Sequence, residues 1–133
     1  MSLIAEVAEY LEDQNIGTRG TDLFYSFIPD NAEAPVVLVR DTGGPQPDQY
    51  IPEIKSPTFQ IFIRSTTYEA GKDLLQQIRD LLHATYNTYL IPGGVYFRRI
   101  HAQSEGGHLG RNEAGHDEFS INFICSVVEP WSK

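Results

Sequence analysis

Residues 41–82 have the sequence DTGGPQPDQYIPEIKSPTFQIFIRSTTYEAGKDLLQQIRDLL, which contains one strand followed by one helix. In FQIFI, residues 59–63, the first, third and fifth side chains are apolar and share one face, which predicts a half-buried β-strand. Residues 68–82 then place apolar side chains at helical spacing, and Thr66 with Glu69 has the spacing of a capping box. This stretch offers no nucleophile with a base, no metal-ligand spacing and no phosphate loop. It therefore predicts a structural unit within an assembly or binding domain.

Before this strand, the chain is rich in proline and glycine. Residues 43–57 contain Pro45, Pro47, Pro52 and Pro57, which cannot donate backbone hydrogen bonds to a sheet. A segment of this length in a small domain is usually functional or covers a neighbouring surface. We expect it to be an extended arm that contacts another subunit.

The N-terminal third predicts one helix and two strands. Residues 3–11 carry apolar side chains at helical spacing, with Ser2 as the expected N-cap and Glu6 on the acidic side that should face solvent. Residues 22–28 are β-prone, and residues 36–40 form an almost unbroken apolar run, which suggests burial on both faces or a central place in the sheet.

The C-terminal third predicts an antiparallel hairpin. Residues 95–102 and 118–128 are its strands, and the glycine-rich residues 103–117 are expected to form a long mobile tip. With no internal repeat or linker, residues 1–133 predict a single α+β domain of order α-β-β-β-α-β-β. The sheet should be antiparallel, mixed at most, with about five strands and both helices packed on one face.

Composition excludes several classes of protein. The formal net charge is −8, with 10 basic and 18 acidic residues, so nonspecific binding to nucleic-acid phosphates is disfavoured. No apolar run is long enough to span a bilayer, and the N-terminus does not have the pattern of a signal peptide. Cys125 is the single cysteine, which excludes an intrachain disulfide and fits synthesis in a reducing cytoplasm.

Few residues have the pattern of a chemical site. Histidines and carboxylates cluster in the sequence around the predicted hairpin tip, but their spacing matches no metal motif: His101, His108, Glu113, His116 and Asp117. Cys125 alternates with apolar residues and is interpreted as a small buried hydrophobe. No catalytic, cofactor-binding or metal-binding residue is predicted.

Interface residues are the more promising candidates. Arg98 and Arg99 are adjacent, so they are expected to point to opposite faces of the sheet, and one of them needs a carboxylate partner or an interface. Several aromatic residues, Tyr25, Phe62, Tyr68, Tyr96 and Trp131, exceed what one small core requires. The predicted interface residues are Gly43, Gly44, Pro45, Pro47, Tyr50, Pro52, Arg98, Arg99, His108, Arg111 and Trp131.

Several of these stretches are similar to one family. TDLFYSFIPD (residues 21–30), DTGGPQP (41–47), SPTFQIFIRS (56–65) and the helix over 68–83 resemble the minor capsid or tail terminator proteins of tailed bacteriophages. The resemblance implies a homohexameric ring that caps the tail tube, ends its polymerisation and joins the tail to the head connector. It also implies a virion protein, made in the bacterial host cytoplasm, with no enzymatic activity and no cofactor. Its partners would be further copies of itself, the tail tube protein and the head-closure or connector protein. DNA would pass through the lumen without specific binding, and no membrane would be involved.

Three alternatives remain open on the sequence alone. A head-closure or neck protein would belong to the same structural class. A small metal-dependent hydrolase would use the histidines and carboxylates of the predicted tip. A monomeric ligand-binding domain would have a deep apolar pocket.

Overall fold

A computed structural model describes residues 3–29, 33–44 and 54–128, and these residues form two helices and eight strands. The helices are α1 (Leu3–Asp13) and α2 (Tyr68–Leu82). The strands are β1 (Leu23–Tyr25), β2 (Val36–Gly43), β3 (Ile54–Lys55), β4 (Thr58–Ser65), β5 (Thr85–Tyr89), β6 (Tyr96–Ala102), β7 (Gly107–Arg111) and β8 (Asp117–Val128). Neither helix is long and apolar enough to cross a membrane, among the residues described.

The strands form one mixed sheet in the order β1-β2-β4-β8-β6-β5, with β3 and β7 also paired to β8. Only the β1–β2 pair is parallel, and the other described pairs are antiparallel. The predicted α+β class is confirmed. The predicted count of about five strands is too low because two long strands are each interrupted, and because β5 was not recognised in the sequence.

The centre of the sheet is β8, which has β4 on one side and both β6 and β7 on the other. The predicted alternation along β4 is confirmed, since Phe59, Ile61 and Ile63 are fully buried. The rings of Phe59 and Phe123 stack across the β4–β8 pair with centroids 5.1 Å apart. Burying each such side chain stabilises the fold by about 1.5–3 kcal/mol, so this pair of strands anchors the core.

Both helices pack on the same face of the sheet, as predicted. Leu11 of α1 and Ile78 of α2 belong to one buried cluster with strand residues such as Ile61 and Phe123. The opposite face of the sheet is not covered by either helix. We call it the free face; its outward side chains include Arg40, Arg64, Arg98, Arg99 and Glu118.

The start of α2 differs by one residue from the sequence prediction. Thr67, not Thr66, is the N-cap: its backbone is extended, with φ −133° and ψ 155°. The Thr67 Oγ1 accepts a hydrogen bond from Ala70 N–H at 3.2 Å. The capping-box pairing of Thr66 with Glu69 is therefore wrong, because the cap must be the last residue before helical backbone begins.

The solvent-facing assignment of Glu6 is also wrong. Glu6 is 2% exposed, and its Oε1 accepts a hydrogen bond from Val95 N–H at 2.8 Å. A Cβ at Gly94 would lie 1.9 Å from the same oxygen. Helical periodicity places Glu6 with the acidic residues, but the turn before β6 folds over this side of α1 and encloses the carboxylate. The predicted cap Ser2 lies outside the described residues.

The C-terminal hairpin is confirmed, but its tip is much shorter than predicted. β6 and β7 follow each other along the same edge of β8, so residues 96–111 act as one interrupted strand. The turn is reduced to residues 112–116, where Asn112 N–H donates to His116 O at 2.8 Å. The expected mobile loop over 103–117 is thus largely sheet, because β7 pairs with Asp117–Ser120 despite its glycines.

Candidate assembly interface

One end of the sheet is formed by β5, whose only strand partner among the described residues is β6. Tyr86 and Tyr89 on this strand are each 54% exposed. An edge strand presents unpaired backbone donors and acceptors, and tyrosine is enriched where proteins bind each other. The β5 end of the sheet therefore has the properties of a protein contact.

The other end of the sheet is β1, a strand of three residues that pairs in parallel with β2. Phe27 follows it and is 70% exposed, while Tyr25 on the strand is also exposed. The two rings line one depression and so form an exposed apolar patch, which is a feature of protein contacts. The two ends of the sheet are thus open in different ways: β5 exposes a strand edge, while at β1 the Leu23 backbone is bonded to Thr18 and Gly20 and the exposed groups are aromatic rings.

Arg98 and Arg99 lie beside the β5 end and do not point to opposite faces. A β-bulge between Phe97 and Arg99 places both arginines against the single residue Ser126 of β8. Both side chains are exposed, and they line one depression of about 190 Å³ with Tyr86, Asn87 and Ser126. The prediction of opposite faces is wrong because it assumed a regular strand, and a bulge adds one residue without reversing the side.

Charge is unevenly distributed over the two faces. On the described strands of the free face, Arg40, Arg64, Arg98 and Arg99 stand against one carboxylate, Glu118. Only Arg64 is neutralised there, through an ion pair of 3.1 Å with Glu118. The free face is therefore positively charged on a chain whose net charge is −8.

The hairpin tip contains a compact ionic cluster on the helix side of the sheet. His108 Nε2 lies 2.9 Å from Asp117 Oδ1, and Arg111 Nη2 donates to Asp117 Oδ2 at 3.1 Å. The Asp117 side chain is only 5% exposed. Burial opposes its charged form, but the hydrogen bonds from His108 and Arg111 outweigh that effect and lower the pKa of Asp117 below its ordinary value.

Aromatic rings hold the His108 side of this cluster in place. The His108 ring lies 5.1 Å from the Tyr68 ring and 5.0 Å from the Phe119 ring, measured between centroids. Gly71 of α2 lies directly above, where a Cβ would be 2.3 Å from Phe119 Cε1. The tip is therefore fastened to α2 by close packing, and both His108 and Arg111 are engaged within the chain.

The remaining predicted interface residues lie at the edge of the described part of the chain or outside it. Gly43 ends β2, and Gly44 has a φ of 143° with its Cα so close to Ser56 that a Cβ would be 2.6 Å from the Ser56 oxygen. Gly44 thus has a backbone reason to be glycine. Pro45, Pro47, Tyr50, Pro52 and Trp131 lie outside the described residues.

The structure brings together no group of three or more histidine, cysteine or carboxylate side chains that could hold a metal ion, among residues 3–29, 33–44 and 54–128. Cys125 is buried, as expected, and its Sγ donates to Pro57 O at 3.3 Å. Of the histidines and carboxylates that are close in sequence here, His108 and Asp117 are in contact, but no third such side chain joins them in the described structure.

Most of the chain matches one family. A family model described as bacteriophage tail terminator protein covers residues 10–129. The chain belongs to the bacteriophage tail terminator family. This tail terminator is therefore a structural component of the phage virion, and its family is not a family of enzymes.

A solved structure supports the same fold for this tail terminator. A chain in the virion of a native gene transfer agent particle matches with a TM-score of 0.72 and 14% sequence identity, over 96% of each chain. No curated protein sequence matches the chain.

Sequence reasoning missed four exposed apolar residues that the structure places on open surfaces: Phe27, Tyr86, Tyr89 and Leu109. A signal for two of them was present, because residues 85–89 (TYNTY) are rich in β-branched and aromatic residues between a helix and a Pro-Gly-Gly turn. No comparable signal marked Leu109, since β7 is flanked and interrupted by glycine.

Proposed function

We propose that this tail terminator forms a ring that caps the phage tail tube, ends tail polymerisation and joins the tail to the head connector. The observation that carries this proposal is the family match over residues 10–129. The subunit would meet copies of itself, the tail tube protein and the head-closure or connector protein. A ring of six is what the resemblance to tail terminators implies.

The two open sheet ends support a ring physically. A ring is built from head-to-tail contacts, in which two different surfaces of each subunit meet. The β1 end offers Tyr25 and Phe27, and the β5 end offers Tyr86 and Tyr89. Two dissimilar, exposed aromatic ends fit this arrangement better than one self-complementary patch.

DNA would pass through the ring without specific binding. The net charge of −8 repels phosphates at long range. The arginines of the free face have the opposite sign to the net charge. Their presence is explained if they lie between subunits instead of along the lumen.

The test is electron microscopy of particles made in cells that lack this protein. We expect tail tubes of uncontrolled, excessive length, and wild-type protein supplied from a plasmid should restore the normal length. Tails of normal length that fail to join heads would overturn the termination role and indicate a neck or head-closure role.

A further inference from the structure

Among the described residues, Arg98 and Arg99 differ from the other arginines: neither forms an ion pair, and the nearest side-chain acceptor, Ser126 Oγ, lies 3.5 Å from Arg98 Nη1. Four of the seven arginines form ion pairs within the chain: Arg19 with Glu12, Arg64 with Glu118, Arg79 with Glu105 and Arg111 with Asp117. Arg40 instead donates to the Gln60 side chain.

The bulge brings these two cations to the same side of β6. Two adjacent like charges repel each other, and a regular strand would have separated them. Both line the depression of about 190 Å³ beside Tyr86 and Asn87, at the open β5 end of the sheet. A guanidinium binds a carboxylate through two parallel hydrogen bonds, so the depression has room and donors for acidic side chains from outside the subunit.

Matching carboxylates are found at the opposite end of the sheet. Asp13 ends α1, which packs on β1 and β2; it is exposed, and its charge acts on Arg19 without forming an ion pair in the described structure. Glu33 is exposed beside Asp22, Phe24 and Pro35, in a depression of about 510 Å³ near β1. In a head-to-tail assembly, this acidic end faces the basic end of the next subunit.

We propose that Arg98 and Arg99 of one subunit form ion pairs with carboxylates at the β1 end of the next copy, Asp13 and Glu33 among them. The contact rests on the proposed ring, because it requires copies side by side. It places a second copy of this chain, and not DNA, against the arginines, because the β1 end carries exposed carboxylates and the exposed ring of Tyr86 lines the depression.

Charge reversal tests the contact. The Arg98→Glu/Arg99→Glu variant is compared with Lys72→Glu/Gln76→Glu/Gln77→Glu, which changes the net charge equally at exposed sites on α2. Self-association is measured by sedimentation and native mass spectrometry, with free protein and on tail tubes lacking terminator. We expect the first variant to fold normally by circular dichroism but to assemble at least about thirtyfold more weakly, while the control assembles like wild type. Adding Asp13→Lys/Glu33→Lys to the first variant should restore assembly.

Two results would overturn the proposal. One is assembly of Arg98→Glu/Arg99→Glu as tight as that of wild type, in solution and on tail tubes. The other is arginine-dependent binding of a short DNA duplex at physiological salt, together with unchanged assembly. The proposed function can fail independently of the contact. If ring assembly depends on these arginines but the rings do not control tail length, the contact is supported and the termination role is contradicted.

Discussion

The hairpin of β6, β7 and β8 carries arginines at both ends, and the two ends use them differently. At the tip, Arg111 and His108 both contact the buried carboxylate of Asp117. At the base, Arg98 and Arg99 stand together on a bulge without a carboxylate in the described structure. The positive charge at the tip is used within the fold, while the charge at the base is left for a partner.

The difference follows from burial. Asp117 is almost inaccessible, so an ionised carboxylate there requires donors, and the surrounding rings hold them in place. Ser126 at the base is also buried, but it is neutral and requires no cation. A cation beside a buried anion stabilises the folded state. Two adjacent cations beside a neutral residue have no comparable role within the fold. Substitutions at the two ends should therefore differ in their effect on stability.

The largest loss of folding stability is expected from Gly71→Ala, which disturbs the packing of α2 against the hairpin tip. The new Cβ would lie 2.3 Å from the buried ring of Phe119, so helix and strand must move apart. Overpacking of this kind costs about 3 kcal/mol, and the better helix propensity of alanine recovers about 1 kcal/mol at most. Urea denaturation measures the loss. Gly107→Ala is the matched control, because nothing lies within 4 Å of a Cβ added there, and it should leave the denaturation midpoint almost unchanged.

The next largest loss of folding stability is expected from Glu6→Ala, which removes a contact that holds the base of the hairpin. It leaves the Val95 N–H without its acceptor at the start of β6, which costs about 2 kcal/mol. Thermal unfolding measures this loss, and Glu6→Gln should recover most of it because the amide oxygen still accepts. Equal losses for both variants would mean that the negative charge, and not the hydrogen bond, holds the turn.

A smaller loss of folding stability is expected from Asp117→Asn, and the size of this loss should depend on pH. The variant removes the ion pair with Arg111 and the carboxylate contact with His108, and it lowers the melting temperature at neutral pH. Because the pKa of Asp117 is lowered in the folded state, its stabilisation is present above the ordinary value of 3.8 and is lost as the pH falls further.

The wild type should therefore lose its advantage over Asp117→Asn as the pH falls below about 4, where the carboxylate becomes protonated. Melting curves of both proteins between about pH 7 and about pH 2 check this. A constant difference over the whole range would show that Asp117 contributes through shape alone.

The smallest effect on stability is expected from Arg98→Ala/Arg99→Ala. Both side chains are exposed and lack ion pairs in the described structure, so the free energy of unfolding should change by no more than about 0.5 kcal/mol. Urea denaturation of the variant beside Arg111→Ala gives the comparison directly. A loss at the base as large as that at the tip would remove the distinction between them.

Much of the frame could be predicted from the sequence because local rules govern it. The alternation along β4 and the periodicity of α2 both depend on neighbouring residues, and both are confirmed with α2 ending at Leu82. The candidate interface was predicted less well. β5 was not recognised, and β7 was expected to be a loop, since glycine-rich strands become visible only when they pair with β8.

Residue spacing and residue type were enough to establish the α+β class, the main strand and helix, and the resemblance to tail terminators. Three further features needed the folded chain: Glu6 is enclosed, Asp117 joins His108 to Arg111, and Arg98 and Arg99 share a side. The physical reason is register. A bulge or a turn that folds over a helix depends on how distant strands align, and moving that alignment by one residue changes which side chains meet.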